Sequence, residues 1–361
     1  MEALIGSLDL CISAAPGGQE PKSFAMDLHT TAENPAPPGA TVAWIRTQDR
    51  LALRTARWSS GPASLGTVVI LPGRAEFIEK YFEAVGELLD RNFDVVVLDW
   101  RGQGLSDRLL RDRLRGHVGH FRAYDRDLDA LRAQVLEPFG RPPWFALGHS
   151  MGGAILLAQA RAGRSPFERM VLTAPMINLH GLRFPRASRY FANGLALLGF
   201  GAAFVPGGRG KPYMSAGFQG NVLTSDPVRH MRSAEILDFA PELAIGDPTI
   251  GWVNAAFRLM RQFEDAEFPR RILTPTLVIA AGDDRVVDTA ATEDFAGRLK
   301  AGRFITLPHA RHEILMERES FREQFWAAFD AFVPGLGWPS DEAKADALEA
   351  PPTGGVRASS A

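Results

Sequence analysis

Short runs of apolar and β-branched residues alternate with segments of helical period along most of the chain. The apolar runs are TVVIL at 67–71, DVVVLD at 94–99, WFALG at 144–148, MVLTAP at 170–175, TLVIAAG at 276–282 and FITLP at 304–308. Runs of this length and composition are typical of strands buried on both faces. Segments of helical period fall at 76–91, 124–137, 151–162 and 318–333. This alternation predicts an α/β fold with a doubly wound, mostly parallel sheet.

The chain departs from this alternation in two places. Near the start, TVAWIRT and LALRTARW flank the turn residues Gln48-Asp49-Arg50, which predicts an antiparallel hairpin at the sheet edge. Between about 176 and 265 no convincing strand occurs, and helical patterns lie at 187–200, 227–240 and 250–264. An insertion of this length between parallel strands is usually a lid or a binding loop. We therefore predict a helical cap over 176–265.

The rest of the domain organisation follows from these patterns. We expect the core to be formed by 40–175 together with 266–335. The segment 1–25 is predicted to be a flexible extension, and 338–361, rich in Ala, Pro, Gly and Ser, a disordered tail.

Composition narrows the class of protein. The chain has 361 residues, 46% hydrophobic and 23% charged, as expected for one large globular domain with insertions. Its formal net charge of -2 gives no reason to expect a nucleic-acid partner. Cys11 is the only cysteine, which excludes an internal disulfide.

Two sequence features bear on location. The first residues lack the basic start and clean apolar run of a secretory signal, and no run of about 20 apolar residues predicts a transmembrane helix. We therefore expect a cytoplasmic protein, with peripheral attachment to the inner face of a membrane left open.

The clearest chemical signal is Gly148-His149-Ser150-Met151-Gly152, which fits the pattern G-x-S-x-G. A predicted strand precedes it and a predicted helix follows it. A sharp strand-to-helix turn would expose the Ser150 hydroxyl at the carboxyl end of the sheet, beside helix amides that stabilise negative charge. Ser150 is the candidate nucleophile.

A serine hydroxyl needs a base to accept its proton, and the chain offers eight histidines. His312 follows the last predicted strand, where its side chain can reach the sheet edge, so we select it as the base. We interpret His149 as a structural residue that points away from the site. For His117 and His120 there are two interpretations, a place at the mouth of the site or a surface position, and we favour the surface position.

The third member should be a carboxylate on a strand end between the serine and the histidine in sequence. TLVIAAG leads into Asp283 and Asp284. Adjacent residues that leave a strand point in opposite directions, so only one of the two can orient His312.

Together these motifs resemble the monoacylglycerol lipase and lysophospholipase branch of the α/β-hydrolases, which is grouped with the serine aminopeptidase-like hydrolases. The resemblance covers roughly 42–333. It rests on LPGRAEFIEKY at 71–81, LDWRGQGLSD at 98–107, GHVGHFRAYDRDL at 116–128, GHSMGG at 148–153, AGDDRVVD at 281–288 and HARHEILME at 309–317. It implies the α/β-hydrolase fold with a cap, a Ser-His-Asp acyl-enzyme mechanism, and neither a metal nor a cofactor.

The resemblance also assigns particular residues. It places the acid directly before Arg285, so we select Asp284 over Asp283. It implies an oxyanion hole formed by the backbone amides of Arg74 and Met151. Pro72-Gly73 stands where the family has His-Gly; the Arg74 amide donor is unaffected, but the usual bracing contact of the histidine is lost. Glu76 is interpreted as a brace of the same loop.

Charge is distributed unevenly in the predicted cap. Residues 169–225 contain no Asp or Glu, and 190–208 carry no charge at all. An apolar stretch bracketed by basic residues suits contact with an anionic lipid surface. A solvated lid and an acyl-chain tunnel explain the same pattern. The candidate residues for contact with substrate or a lipid surface are Arg183, Arg186, Arg189, Arg209 and Lys211.

We therefore predict hydrolysis of a small-molecule lipid ester with one long acyl chain, a lysophospholipid or a monoacylglycerol. An aminopeptidase is an alternative, although it would need acids in the cap to hold a free amino terminus. An acyltransferase on the same fold is another alternative, for which no acceptor motif is visible. A binding module without activity is disfavoured by the complete set of triad residues.

Overall fold

A mixed sheet forms the centre of the structure, a computed structural model that describes residues 28–182, 184–212 and 217–333. Its strands are β1 (Thr41–Arg46), β2 (Ala52–Trp58), β3 (Thr67–Leu71), β4 (Asp94–Leu98), β5 (Trp144–His149), β6 (Arg169–Thr173), β7 (Thr276–Ala281) and β8 (Gly302–Leu307). All six predicted buried strands lie within a few residues of their expected positions. The predicted flexible segments 1–25 and 338–361 lie outside the described residues.

The order of the strands determines where a ligand can bind. Within the described residues the sheet runs β1-β2-β4-β3-β5-β6-β7-β8. β1 and β2 form the predicted antiparallel hairpin at the edge, and β2 is also antiparallel to β4, whereas β3 to β8 are parallel. Because the chain adds β4 on one side of β3 and β5 on the other, a crevice opens at the carboxyl ends of β3 and β5. The predicted doubly wound α/β fold is confirmed.

Helices cover both faces of this sheet. They are α1 (Phe82–Asp90), α2 (Ala123–Leu131), α3 (Glu137–Phe139), α4 (Met151–Arg161), α5 (Pro185–Leu197), α6 (Pro227–Phe239), α7 (Ile250–Phe263), α8 (Glu267–Arg270), α9 (Thr289–Gly297) and α10 (Glu319–Phe332). A π-helical turn at Arg132–Leu136 joins α2 to α3. None of the helices described here has the length and apolar character needed to span a bilayer.

Alternation along the strands divides the core into two layers. Val69 and Val96 face the layer formed with α2, α4 and α7. Val68 and Val95 face the opposite layer, formed with α1 and α10. Because successive strand residues point to opposite faces, fully apolar strands are required to fill both layers.

The segment 176–265, here named the cap segment, contains α5, α6 and α7. α7 buries Trp252 and Phe257 in the core. α6 is attached by ion pairs, since Arg229 lies 2.6 Å from Glu83 of α1 and 2.8 Å from Glu319 of α10. α5 is attached least, because Ala192 is its only buried residue.

A buried ion cluster fixes the chain around the ends of β3 and β4. Arg54 of β2 is fully buried. Its guanidinium group donates two hydrogen bonds of 2.7 Å to Glu79 and one of 2.8 Å to Asp99. Asp99 also accepts hydrogen bonds from the amides of Ile78 and Leu105, on the segments that follow β3 and β4. The cluster therefore links three separate segments beside the crevice.

Replacement of Arg54 by methionine tests the contribution of this cluster. The substitution leaves two buried carboxylates without their cation, so we expect the free energy of unfolding to fall by about 3–5 kcal/mol. Urea denaturation measures the change. The control is Arg132→Met, which removes a half-exposed pair with Glu137 and should cost below about 1 kcal/mol. Equal losses in the two variants would contradict the role assigned to the cluster.

Candidate active site

The turn between β5 and α4 holds Ser150 in an unusual conformation. Its φ of 47° and ψ of -110° lie outside the regions that a non-glycine residue normally adopts. Two glycines permit the turn, because a Cβ at Gly152 would overlap the carbonyl oxygen of Leu71 and a Cβ at Gly148 would press on Gly153. The strain presents the Ser150 hydroxyl at the crevice at the carboxyl ends of β3 and β5.

The structure brings Ser150, His312 and Asp284 into one chain of hydrogen bonds. His312 Nε2 lies 3.0 Å from Ser150 Oγ, and His312 Nδ1 lies 2.8 Å from Asp284 Oδ2. All three residues are buried. His312 follows β8 and Asp284 follows β7, so each reaches the site from the carboxyl end of its strand, as the sequence predicts.

Asp284 and Asp283 differ sharply in their surroundings. The second oxygen of Asp284 accepts hydrogen bonds of 2.8 and 2.9 Å from the amides of Val286 and Val287. Burial raises the pKa of Asp284, but His312 and these amides outweigh it, so its pKa lies below the usual value. Asp283 is half-exposed and faces Arg285 at 3.5 Å. Of the two aspartates, Asp284 is therefore the one that contacts His312.

The loop after β3, which carries the Arg74 amide, is held on both sides. Trp100 Nε1 donates to the carbonyl of Pro72 at 2.9 Å, and Gln103 donates to Gly73 at 3.0 Å. The Gly73 amide donates to Glu76, in agreement with the predicted role of Glu76 as a brace. The brace therefore does not require the histidine that the family has at position 72.

The two predicted oxyanion donors lie on neighbouring segments: Arg74 is in the loop after β3, and Met151 is at the start of α4. The Arg74 amide makes no hydrogen bond to any other described residue. Met151 is the first residue of α4, where an amide has no acceptor in its own helix. The Arg74 side chain points towards the cap segment. Its guanidinium group donates to the carbonyl of Gly246 at 2.7 Å and stacks on Trp252.

The expectation that His149 points away from the site is wrong. Its ring centroid lies 4.8 Å from that of His312, and its Nδ1 lies 3.1 Å from the Thr173 hydroxyl. The turn at Ser150, where φ is positive, leaves the imidazole of the preceding residue beside His312 rather than away from it. Burial lowers the pKa of His149 to about 4, so it is neutral near pH 7.

Sequence reasoning also missed a buried lysine beside the triad. Lys80 Nζ lies 2.8 Å from Glu76 and 2.6 Å from Glu313, the residue after His312. Burial lowers the pKa of Lys80, but the two carboxylates outweigh it and raise the pKa, so Lys80 is charged. Lys80 thus connects the loop after β3 to the loop of His312. The sequence signal was weak, because Lys80 stands in the mixed segment EFIEKY at 76–81, which also holds Glu76 and Glu79.

A cavity of about 260 Å³ opens above Ser150. Its floor is polar and comes from the core, whereas its upper wall comes mainly from the cap segment. The cap residues that line it are Pro212, Val222, Leu223, Leu237, Ala244, Ile245 and Asp247. The wall is thus largely apolar, and the polar atoms lie near the serine.

The predicted basic cap residues that the structure describes do not line this cavity. Arg186 is exposed at the start of α5, and Arg189 pairs with Glu264 at 2.5 Å. Arg209 and Lys211 are exposed, and the Arg209 amide donates to Asp247 at 2.7 Å. Arg183 lies outside the described residues.

His117 and His120 also lie outside the cavity wall. His120 is exposed, in agreement with the prediction. His117 is half-buried and lies 2.9 Å from the Thr249 hydroxyl, at the start of α7. It is therefore a contact between the core and the cap segment rather than a surface residue.

Comparison with known proteins places this geometry in a family. The sequence profile of the family described as serine aminopeptidase, S33, matches residues 62–319. Lysophospholipase L2 of Escherichia coli strain K12 is 33% identical over 280 residues, which cover 71% of this chain and 76% of that protein.

Two solved structures have the same fold. One is a monoglyceride lipase from Saccharomyces cerevisiae, with a TM-score of 0.62, 16% identity, and coverage of 86% of this chain and 98% of that one. The other is a carboxyl esterase from Bacillus coagulans, with a TM-score of 0.66, 16% identity, and coverage of 82% and 98%. The chain therefore belongs to the serine aminopeptidase S33 family of α/β-hydrolases, in the branch of the lysophospholipases and monoacylglycerol lipases.

Proposed function

We propose that the protein hydrolyses the carboxylic ester of a single-chain lipid, a lysophospholipid or a monoacylglycerol. The observation that carries the proposal is the position of the hydrogen-bonded triad at the floor of a cavity with an apolar upper wall. An acyl chain is favoured against such a wall by roughly 0.8 kcal/mol per buried methylene group. The name of the E. coli relative, a lysophospholipase, supports the same substrate class.

The geometry supports a two-step mechanism. Ser150 Oγ attacks the ester carbonyl while His312 Nε2 accepts the hydroxyl proton, and Asp284 stabilises the charged imidazole. The amides of Arg74 and Met151 stabilise the oxyanion. His312 then gives its proton to the leaving alcohol, and an acyl-enzyme remains on Ser150. A water molecule, activated by His312, releases the fatty acid and restores the serine.

Hydrolysis of an amino-terminal peptide bond is less well supported. An aminopeptidase holds the free ammonium group of its substrate with a carboxylate. Glu76 and Glu313 line the cavity, but Lys80 already pairs with both. A transferase would share the acyl-enzyme step and differ only in the acceptor.

A substrate panel with two variants tests the proposal. Among lysophospholipids, monoacylglycerols, short nitrophenyl esters and aminoacyl amides, we expect the highest kcat/KM for the single-chain lipids. Ser150→Ala and His312→Ala should each lower kcat by about four to six powers of ten, and the double variant should lose little more, because the groups act as a unit.

The outcome that contradicts the mechanism is an esterase activity retained by Ser150→Ala. A preference for aminoacyl amides would instead contradict the substrate class. Circular dichroism of each variant separates loss of catalysis from loss of fold.

The two adjacent aspartates provide an internal control for the acid. Asp284→Asn removes the carboxylate charge that stabilises the His312 imidazolium and holds its proton on Nδ1, so kcat should fall by about four powers of ten. Asp283→Asn alters a half-exposed side chain that faces Arg285, so kcat should stay close to that of the wild type. The reverse result, measured on a soluble ester, would mean that Asp283 is the acid.

We also propose that α5 contacts an anionic lipid surface. The helix exposes 78% of Tyr190 and 80% of Leu197, and Leu198, just after the helix, is 73% exposed. Large apolar side chains on a solvent face, near basic residues, are typical of an element that rests on a membrane.

Leu197→Gln together with Leu198→Gln tests this contact. Both leucines are exposed, so the fold should be unaffected, while cosedimentation with anionic vesicles should weaken by about tenfold or more. Leu273→Gln, at another highly exposed leucine on the core, is the matched control and should bind as the wild type does. A wild-type protein that ignores anionic vesicles at low salt would refute the proposal.

A further inference from the structure

A second cavity, separate from the catalytic one, lies between α5 and α7. Its volume is about 380 Å³, within the range of small-molecule sites. It is lined by Arg186, Arg189, Tyr190, Asn193, Asn254, Phe257, Arg258, Arg261 and Glu264, and is here named the arginine cleft.

Helical spacing produces the cleft. On α5 the lining residues stand at 186, 189, 190 and 193, and on α7 at 254, 257, 258 and 261. Residues at these intervals share one face of a helix. Because α5 packs against α7, the two faces meet and bring four guanidinium groups to one place.

The positive charge of the cleft is only partly neutralised. Arg189 pairs with Glu264 at 2.5 Å, and its Nε is buried without a hydrogen-bond partner among the described residues. Arg186 and Arg261 have no carboxylate within 4 Å in the described part of the chain, and Arg258 donates only to the carbonyl of Gly119. Four cations are thus gathered against one anion, an arrangement that an anionic ligand would stabilise.

The kind of anion follows from the donors. A guanidinium group presents paired N–H donors that match the oxygens of a phosphate, and several around one cavity suit its multiple oxygens. Tyr190 connects the cleft to the surroundings, since it lines the cavity while most of its side chain faces solvent. A phosphate held here would therefore lie beside the exposed apolar face of α5.

We propose that the arginine cleft binds the phosphate of a lipid headgroup and so orients the cap segment on a membrane surface. The assignment to a lipid, rather than to free phosphate, rests on the membrane contact proposed for α5. The phosphate site itself rests on the side chains of both helices and does not depend on the catalytic reaction.

The test uses two double variants of the full chain. R258Q/R261Q removes the two α7 arginines of the cleft and leaves α5 intact. R270Q/R271Q removes the same charge from the exposed end of α8 and serves as the matched control. The probes are phosphatidylcholine vesicles with phosphatidate, vesicles of equal surface charge with oleate, and inorganic phosphate in solution.

We expect the wild type to bind phosphatidate vesicles more tightly than oleate vesicles. R258Q/R261Q should lose this preference, with binding to phosphatidate weakened by about tenfold to thirtyfold, whereas R270Q/R271Q should keep it. Equal weakening in both double variants, or no preference for phosphatidate in the wild type, would overturn the site. Saturation by inorganic phosphate without preference for vesicles would overturn the lipid source.

Hydrolysis of a soluble short-chain ester is measured in parallel. Both double variants should retain it, because neither alters the triad or its cavity. A failure of the proposed triad therefore appears in the wild type on this ester, and a failure of the proposed substrate class appears in the substrate panel, both independently of the vesicle results.

Discussion

The close approach of the β5–α4 turn to the end of β3 is the contact around which the site is arranged. Gly152 lies against the carbonyl oxygen of Leu71, where no side chain fits. This contact puts the first amides of α4 beside the loop that follows β3, and it holds Ser150 in its strained conformation. A nucleophile and its oxyanion donors must act on the same group, and the two backbone segments that carry the proposed donors meet here directly. The strain at Ser150 can persist because the surrounding sheet over-determines the turn.

Electrostatics keep the loops around that contact in register. Lys80 pairs with Glu76, which binds the Gly73 amide, and with Glu313, which follows His312. One buried cation therefore contacts both the loop after β3 and the loop that carries His312. Buried charges are costly unless they are paired, so the three groups stabilise each other only while both loops stay in place. The site is held by a shared network rather than by separate local contacts.

The sequence alone predicted the residues whose positions depend on the order of strands and loops along the chain. Ser150, Asp284 and His312 each follow a strand of a parallel sheet, and parallel strands place their carboxyl ends at one edge. It was insufficient where a side chain depends on distant segments. Lys80 and Glu313 are 233 residues apart, so their pairing has no local pattern. The charge pattern read over 169–225 likewise left out α7 and the residue after it, which supply Arg258, Arg261 and Glu264 to the cleft.

The helices of the cap segment are attached to the core unequally, and this difference determines where substitutions are tolerated. α7 is anchored by buried aromatic residues and α6 by ion pairs to the core, whereas α5 buries only Ala192. Substitutions on exposed positions usually change stability by less than about 0.5 kcal/mol. The outer face of α5 can therefore accumulate mutations at little cost to folding, while the triad stays fixed on the sheet. Selection can in this way change what α5 contacts without changing the residues at the carboxyl ends of the strands.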